Sequence, residues 1–429
     1  MSERVLQVDA LARVEGEGAL YVRLKGNEIE KVEFRIFEPP RFFEAFLQGR
    51  DGHEAPDITS RICGICPIAY IMGASQAMEQ ALGVAVTPEI HALRRLIYCG
   101  EWIQSHVLHA AMLHAPDFLG LHDAIKIAEV DPELVKTALR LKKIGNSLME
   151  VVGGRSVHPV NTRVGGFYSA PEKARVKALL GELEWGIEAA RKVALAFSQF
   201  DFPGDEHDYT FVSLKDPDTY AICEGRLVSN RGLDIAVETF NDHFFEEHVA
   251  RSNALHGRMK DGSPYLVGPL ARYANNYEQL SEGAKETADM CGLGRVVSNQ
   301  YKSILVRMVE TQYALEEAAR IVRDYEEPKP SFVETPPKAG EGHGCTEAPR
   351  GICYHTYKLD GEGRITHAQI VPPTSQNQPQ IEADLTRVVT ANMDMADADL
   401  QWLCEQTIRN YDPCISCATH FLKLTIERN

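Results

Sequence analysis

Asp412-Pro413-Cys414-Ile415-Ser416-Cys417-Ala418-Thr419-His420 is the stretch that dictates how the two ends of this chain must fold. Its C-x-x-C pair places two thiolates where one metal centre can chelate both. A second pair, Cys63-Gly64-Ile65-Cys66, lies near the other end, with 351 positions separating Cys63 from Cys414. Zinc ribbons set their pairs about 15–20 residues apart. A site shared by these two pairs therefore requires the fold to bring its ends together. Soft thiolates select zinc, iron–sulfur, copper(I) or a thiolate-rich nickel or iron centre. Either pair alone also fits a redox dithiol or buried packing.

The rest of the composition narrows the setting. The 429 residues carry 45 basic and 61 acidic side chains, a net charge of −16 that repels nucleic-acid backbones and anionic membrane surfaces. Hydrophobic content of 44% and charged content of 25% are globular averages. The length allows two to four domains or one large body. No charge-free apolar run approaches the roughly 20 residues that span a bilayer. Met1-Ser2-Glu3-Arg4 lacks the basic start of a secretory signal. A soluble cytoplasmic protein is expected, in which ten cysteines serve metal, redox or packing rather than disulfides.

Along the chain, Leu20–Leu24 and Val32–Phe37 read as strands around the turn dipeptide Gly26-Asn27. Helices are expected over Pro67–Leu82, from Thr87-Pro88-Glu89 to near Pro116, and over Pro132–Val152. Ser169-Ala170-Pro171-Glu172 reads as a capping box opening another helix. Pro203–Arg272 loosens into short strands and loops, helix returns from Gln279 to Asp324, and Glu326–Gly344 reads as an exposed connection. Ile352–Leu359 and Arg364–Val371 form a second hairpin, and two helices close the chain before Tyr411. The fold class is α+β, helix-dominated, with small sheets, folded as one interwoven body over residues 1–429.

The flanks of the two pairs, R-x-C-G-x-C at Arg61–Cys66 and D-P-C-x-x-C-x-x-H at Asp412–His420, resemble the nickel-ligand signatures of [NiFe]-hydrogenase large subunits. Further segments match that family in the same order. They are Arg13-Val14-Glu15-Gly16, Gly154-Arg155 to His158-Pro159, Val267-Gly268-Pro269 to Arg272, Glu347-Ala348-Pro349-Arg350-Gly351 and Pro373-Thr374-Ser375-Gln376-Asn377. The pattern is most similar to the cytoplasmic bidirectional branch, group 3, and within it to the NADP-linked sulfhydrogenase alpha subunits of group 3b. The resemblance implies the family's fold, a central helical bundle with small peripheral β-sheets.

The same resemblance implies reversible heterolytic cleavage of dihydrogen at a nickel–iron centre whose iron carries carbon monoxide and cyanide. Cys63 and Cys414 would bind nickel terminally, and Cys66 and Cys417 would bridge to iron. Cys414 would take the proton and Glu15 would relay it. Arg350, paired with Asp412, would stabilise charge beside the metals, because a guanidinium is hard to deprotonate. Pro349, Pro373 and Thr374 would shape the pocket of the diatomic ligands. Glu44, His420 and the Ile370 carbonyl would hold a hard cation, magnesium or, given a histidine ligand, iron. Two positions depart from the family: Tyr70 stands where a histidine is common, and Ser105 where an acid is common.

Cys99, Cys223, Cys291, Cys345, Cys353 and Cys404 show no ligand spacing and read as packing. Electrons must then leave through an iron–sulfur small subunit. No G-x-G-x-x-G fingerprint follows a strand, which puts nicotinamide chemistry on a diaphorase-type NAD(P)/flavin subunit. The implied partners include nickel-insertion proteins and a maturation protease that removes the tail 421–429. A dihydrogen-sensing regulatory subunit, a non-catalytic respiratory-complex homologue and a zinc-stabilised scaffold are the alternatives. Keeping all four cysteines counts against the second, and their separation against the third.

Overall fold

In the computed structural model, residues 3–26 and 28–420 are described. Asn27 of the first turn and the tail 421–429 lie outside them. The chain opens with strands β1 (Glu3–Val8), β2 (Gly18–Lys25) and β3 (Glu28–Ile36), an antiparallel sheet in sequence order. Leu20, Val22 and Leu24 alternate onto its buried face, as a half-buried strand requires. After the Pro39-Pro40 break, helices dominate: α1 (Pro67–Leu82), α2 (Pro88–Val107), α3 (Pro132–Gly153), α4 (Leu180–Phe197) and α5 (Ser303–Asp324). Helix α2 packs against α3 and α5, and α5 against α4, forming the bundle. The fold is α+β and helix-dominated with small antiparallel sheets, not all of them peripheral, because the strand Gly351–Leu359 is buried at all but one residue.

Several helix limits fall where local chemistry puts them. Pro67 occupies the first turn of α1, and Gly83 ends it at φ +69°. Thr87 caps α2, its hydroxyl accepting the Ile90 amide. Helix α2 does not run on as α-helix toward Pro116. It widens into a π-helical segment at Leu108–His114 and closes with a turn at Ala115–Phe118.

Three expectations are corrected. Ser169 does not cap a helix: its amide and hydroxyl both donate to Asn161 Oδ1, so helix begins only at Lys173–Lys177 and restarts as α4. The Gln279–Asp324 helix is two, Glu282–Met290 and α5, separated where Gly292 takes φ +68° and Asn299 caps a new turn. The connection expected through Gly344 ends earlier, because Gly340–Ala348 is a strand.

That strand, β4 (Gly340–Ala348), pairs antiparallel with β5 (Gly351–Leu359), which pairs with β6 (Ile365–Val371). The second hairpin is thus two strands of a three-stranded sheet. Its glycines explain why the composition suggested a loop. A Cβ on Gly342 would lie 1.9 Å from the Ala77 carbonyl oxygen, and one on Gly344 2.1 Å from that of Gly73. Strand β4 therefore lies directly on α1, a contact only glycine permits. The chain closes with α6 (Pro373–Ala391) and α7 (Asp397–Arg409). Among the described residues no helix is long and apolar enough to cross a membrane.

Candidate metal centre

Cys63 lies in the turn before α1, and Cys66 is the residue on which α1 begins. Cys414 and Cys417 flank the start of a short helix, Ile415–Ala418. The fold brings these distant segments together. Cys63 Sγ is 3.3 Å from Cys414 Sγ, Cys66 Sγ is 3.6 Å from Cys417 Sγ, and Cys414 and Cys417 are 2.9 Å apart. All four sulfurs lie within 4.8 Å of one another, buried, as free cysteines.

A cage this tight favours one thiolate among three thiols unless a cation is present. Hydrogen bonds from Cys414, Cys417 and Cys66 hold the Cys63 thiol well below its usual range, while burial pushes Cys414 and Cys417 up. Deprotonating all four needs a soft cation bound among them. The surroundings fit a larger group than a lone ion. Arg350 Nη1, Asp412 Oδ2 and Tyr70 Oη are buried and have no hydrogen-bond partner among the described residues. Such orphaned polar atoms around a sulfur cage mark space for ligands that accept and donate hydrogen bonds.

Arg350 is the second residue of the Pro349-Arg350 turn between β4 and β5. Its Nε donates to the Asp412 carbonyl (2.6 Å) and its Nη2 to Asp412 Oδ1 (3.0 Å). Burial works against its charge, yet Asp412 and the negative charge carried by the cage sulfurs raise its pKa well above the ordinary value. It is a fixed cation, not a base. The turn carrying it hangs on Arg272, which donates to the carbonyls of Ala348 (2.7 Å) and Pro349 (2.8 Å). Arg272 in turn pairs with Glu310 and Glu347, all fully buried. Thr374, at the start of α6 beside the buried Pro373, accepts the Cys414 amide through its hydroxyl (3.1 Å).

Glu15 stands on the other side. The Cys414 thiol donates to its Oε2 (3.1 Å), as does the Ser416 amide (3.0 Å), while the Ile415 amide donates to the Glu15 carbonyl (2.9 Å). From there the Ser416 hydroxyl donates to Glu38 Oε1 (2.9 Å), which is partly exposed.

Comparison with known proteins agrees with this geometry. A family model described as nickel-dependent hydrogenase matches residues 41–146 and 258–420. Sulfhydrogenase 1 subunit alpha of Pyrococcus furiosus is 31% identical over 423 residues, covering 98% of both chains. The chain belongs to the nickel-dependent hydrogenase family. The NAD-reducing hydrogenase HoxS subunit beta of Cupriavidus necator is 29% identical, covering 98% of this chain and 95% of that one. Among solved structures, an NAD+-reducing [NiFe]-hydrogenase in the H2-reduced state has the same fold, with a TM-score of 0.85 at 24% identity over 97% of this chain and 99% of that one.

The remaining expected positions of this hydrogenase large subunit also converge. Glu44 Oε1 accepts the Ile370 amide (2.7 Å), and His420 Nε2 donates to the Ile370 carbonyl (2.7 Å) while lying 3.7 Å from Glu44. The sequence reading missed Glu246, whose half-buried carboxyl accepts the Ser375 hydroxyl (2.9 Å) and faces both Glu44 and His420. Burial and the Glu44 carboxylate raise its pKa to about 8.

Both departures from the family pattern are buried. Tyr70 meets the ring of His355 edge-on at 5.9 Å. One turn before Ser105, Glu101 is fully buried and accepts the amides of Ile68 (2.6 Å) and Ala69 (3.2 Å), capping α1 just beyond Cys66. Glu101 and Glu310 were also missed, although each is a lone acid in an apolar helical run, a pattern that demands a buried partner. His109 and His114 brace the C-terminal segment, through the Arg409 carbonyl (2.8 Å) and Asn410 Oδ1 (2.8 Å).

Proposed function

We propose that this chain is the catalytic subunit of a cytoplasmic [NiFe]-hydrogenase that cleaves dihydrogen heterolytically and reversibly. The observation that carries the reading is the four-cysteine cage with a carboxylate 3.1 Å from Cys414 Sγ. Cys63 and Cys414 would hold nickel, and Cys66 and Cys417 would bridge it to an iron carrying carbon monoxide and cyanide. When bound, that group supplies the electrophile that accepts the electron pair of dihydrogen. The chain handles the proton: Cys414 Sγ takes it and passes it to Glu15 Oε2, along the hydrogen bond already in place. Arg350 keeps positive charge beside the cage, and Asp412 fixes its direction. Pro349, Pro373 and Thr374 line the pocket of the diatomic ligands.

Electrons leave toward an iron–sulfur small subunit and on to NAD(P) through a diaphorase-type subunit. This is supported by the subunit names of the relatives, one an alpha subunit of a sulfhydrogenase and one a beta subunit of an NAD-reducing hydrogenase. Gly64, between the first two cysteines, is exposed, and a Cβ there would meet nothing within 4 Å. A groove of mixed lining, with Phe46, Ile58, Pro159 and Tyr168 beside Arg50, Glu54 and Asp57, opens against the helix Ala55–Ser60 that leads to the cysteine turn. His158 Nδ1, next to Pro159 of that groove, donates to the carbonyl of Ser60 (2.8 Å), the last residue of that helix. This is the face on which the small subunit would sit.

Glu44, His420 and the Ile370 carbonyl would hold magnesium. The raised Glu246 carboxyl beside Glu44 fits a pocket built around a cation.

Metal analysis of the holoenzyme tests the reading. One nickel per chain, with infrared bands of iron-bound carbon monoxide and cyanide, is expected. Zinc alone in the cage would end it. In E44Q, magnesium should fall by about one per chain with nickel unchanged, and unchanged magnesium would remove Glu44 from that site.

A further inference from the structure

Two segments from opposite ends of the chain meet at Glu15 and Cys414, and both are tied to one residue that touches neither. Asp117, whose side chain is fully buried, lies in the turn after the π-helical segment. Its Oδ1 accepts Arg13 Nη2 and Arg409 Nη2 (2.8 Å), and its Oδ2 accepts Arg409 Nε (2.8 Å). Arg13 sits two residues before Glu15. Arg409 sits three residues before Asp412, which precedes Pro413 and Cys414. Both guanidinium groups also lie against the Trp402 ring, at 5.6 and 5.7 Å. Three further bonds lock the pair, from Arg13 Nη1 to the Leu113 carbonyl (2.8 Å) and from Arg409 Nη1 to Glu405 (3.2 Å) and to the Ala12 carbonyl (3.4 Å).

The backbone shows what these ties achieve. Four non-glycine residues have positive φ among the described residues, and two of them are Arg13 (φ +62°) and Asp412 (φ +52°). Each lies two positions before one of the proton-handling residues. A left-handed conformation costs a non-glycine residue about 1–2 kcal/mol and persists only where tertiary contacts over-determine it. The contacts that do so here run through Asp117 for Arg13, and through Arg409 and Arg350 for the Asp412 turn. The product is the parallel bridge between Glu15 and Cys414. In that bridge the Ile415 amide, the Ser416 amide and the Cys414 thiol all close on Glu15.

We infer that Asp117 is the positioning residue of the proton step: through Arg13 and Arg409 it sets the register in which the Glu15 carboxylate meets the Cys414 sulfur. The inference rests on the proposed hydrogenase activity for its catalytic meaning. A displacement of about 1 Å between donor and acceptor slows such a step by up to about 100-fold. The expected loss is therefore in proton exit, not in the cage.

The test uses the assembled holoenzyme and the variants Asp117→Asn and Arg13→Gln. Arg13→Gln cuts the Glu15 segment's ties to Asp117 and to the Leu113 carbonyl, leaving Arg409 on Asp117 and on the Ala12 carbonyl, and serves where Asp117→Asn does not fold. Conversion of para- to ortho-hydrogen needs cleavage at the centre but no exit of the proton, whereas exchange of D2 with water needs that exit. Both variants should keep nickel content and para–ortho conversion while D2–water exchange falls at least tenfold. In Arg13→Lys exchange should partly return. The amides of Ile415 and Ser416, followed by hydrogen–deuterium exchange mass spectrometry, should exchange at least tenfold faster than in the unmodified protein. Loss of nickel, conversion and exchange in equal proportion would make Asp117 a stability residue and overturn the inference, as would unchanged amide exchange in Arg13→Gln. Absence of para–ortho conversion in the unmodified holoenzyme would instead defeat the hydrogenase reading, and the amide exchange would still decide what Asp117 does.

Discussion

Arg272→Lys keeps the charge at the centre of the buried network but removes its geometry. Arg272 has five N–H donors and uses all of them: Nε and Nη2 on Glu310 (2.9 and 2.8 Å), Nη1 on Glu347 (3.0 Å), and the other two on the Ala348 and Pro349 carbonyls. A lysine ammonium has three donors and no planar fork. At least two of the five acceptors, all buried, must lose a partner. Each costs about 1–3 kcal/mol, so the substitution should destabilise the protein by about 2–6 kcal/mol. For 429 residues, unfolding entropies of about 2 cal/mol/K per residue convert this to a fall of about 2–7 °C in the midpoint. Scanning calorimetry of the assembled enzyme at one fixed scan rate reads it, since unfolding of a large metal-bound chain is rate-dependent. Because two of the acceptors belong to the turn carrying Arg350, kcat for dihydrogen oxidation should fall about 10–100-fold with nickel retained. A midpoint within 1 °C, accompanied by full activity, would refute the idea that Arg272 suspends that turn.

Other perturbations probe other parts of the fold. In Glu15→Gln the amide oxygen can still accept the Ser416 amide, but no proton can be carried, so turnover should fall about 100–10,000-fold at constant nickel content; near-normal turnover would place the exit route elsewhere. Gly342→Ala drives a methyl against the Ala77 carbonyl and should cost about 1–3 kcal/mol, measured as a lowered calorimetric midpoint. Burial raises the Glu347 carboxyl from the usual 4.5 to about 7, so the folded state holds its proton more tightly than the unfolded chain. The resulting stability, on the order of 3 kcal/mol, is fully present below pH 4.5 and lost as pH rises through about 7. Glu347→Gln should flatten that fall in the midpoint-against-pH curve, and an equally steep decline would show that another group titrates there.

What the sequence revealed depended on whether a residue's neighbours were local. Helix α1 was legible to the residue, because Pro67 and Gly83 mark its ends chemically. The cage was legible because each half is a four-residue motif, and its burial followed from the distance between the halves. Strand β4 was not legible. Gly340, Gly342 and Gly344 look like a flexible linker until α1 is known to lie on them. Ser169 illustrates the opposite failure, a good local cap outbid by a tertiary partner, Asn161. Glu101, Asp117 and Glu246 escaped, and Arg272 was seen only as the end of a family-like segment, for a shared reason. Each is a single charged residue whose partners come from remote segments, so no spacing announces it.

The bridge between Glu15 and Cys414 also has a consequence in time. Synthesis proceeds at roughly 5–20 residues per second from the N-terminus, so the second cysteine pair emerges about 20–70 s after the first, 351 residues later. Throughout that interval Cys63 and Cys66 exist as an isolated dithiol, with neither Glu15 nor Arg350 yet held by its partner near Asp412 and Cys414. The four-sulfur cage thus has no existence until the second pair has emerged, and cargo meant for it must either wait at the first pair or arrive after that. Topology alone places assembly of the centre after the emergence of Cys417.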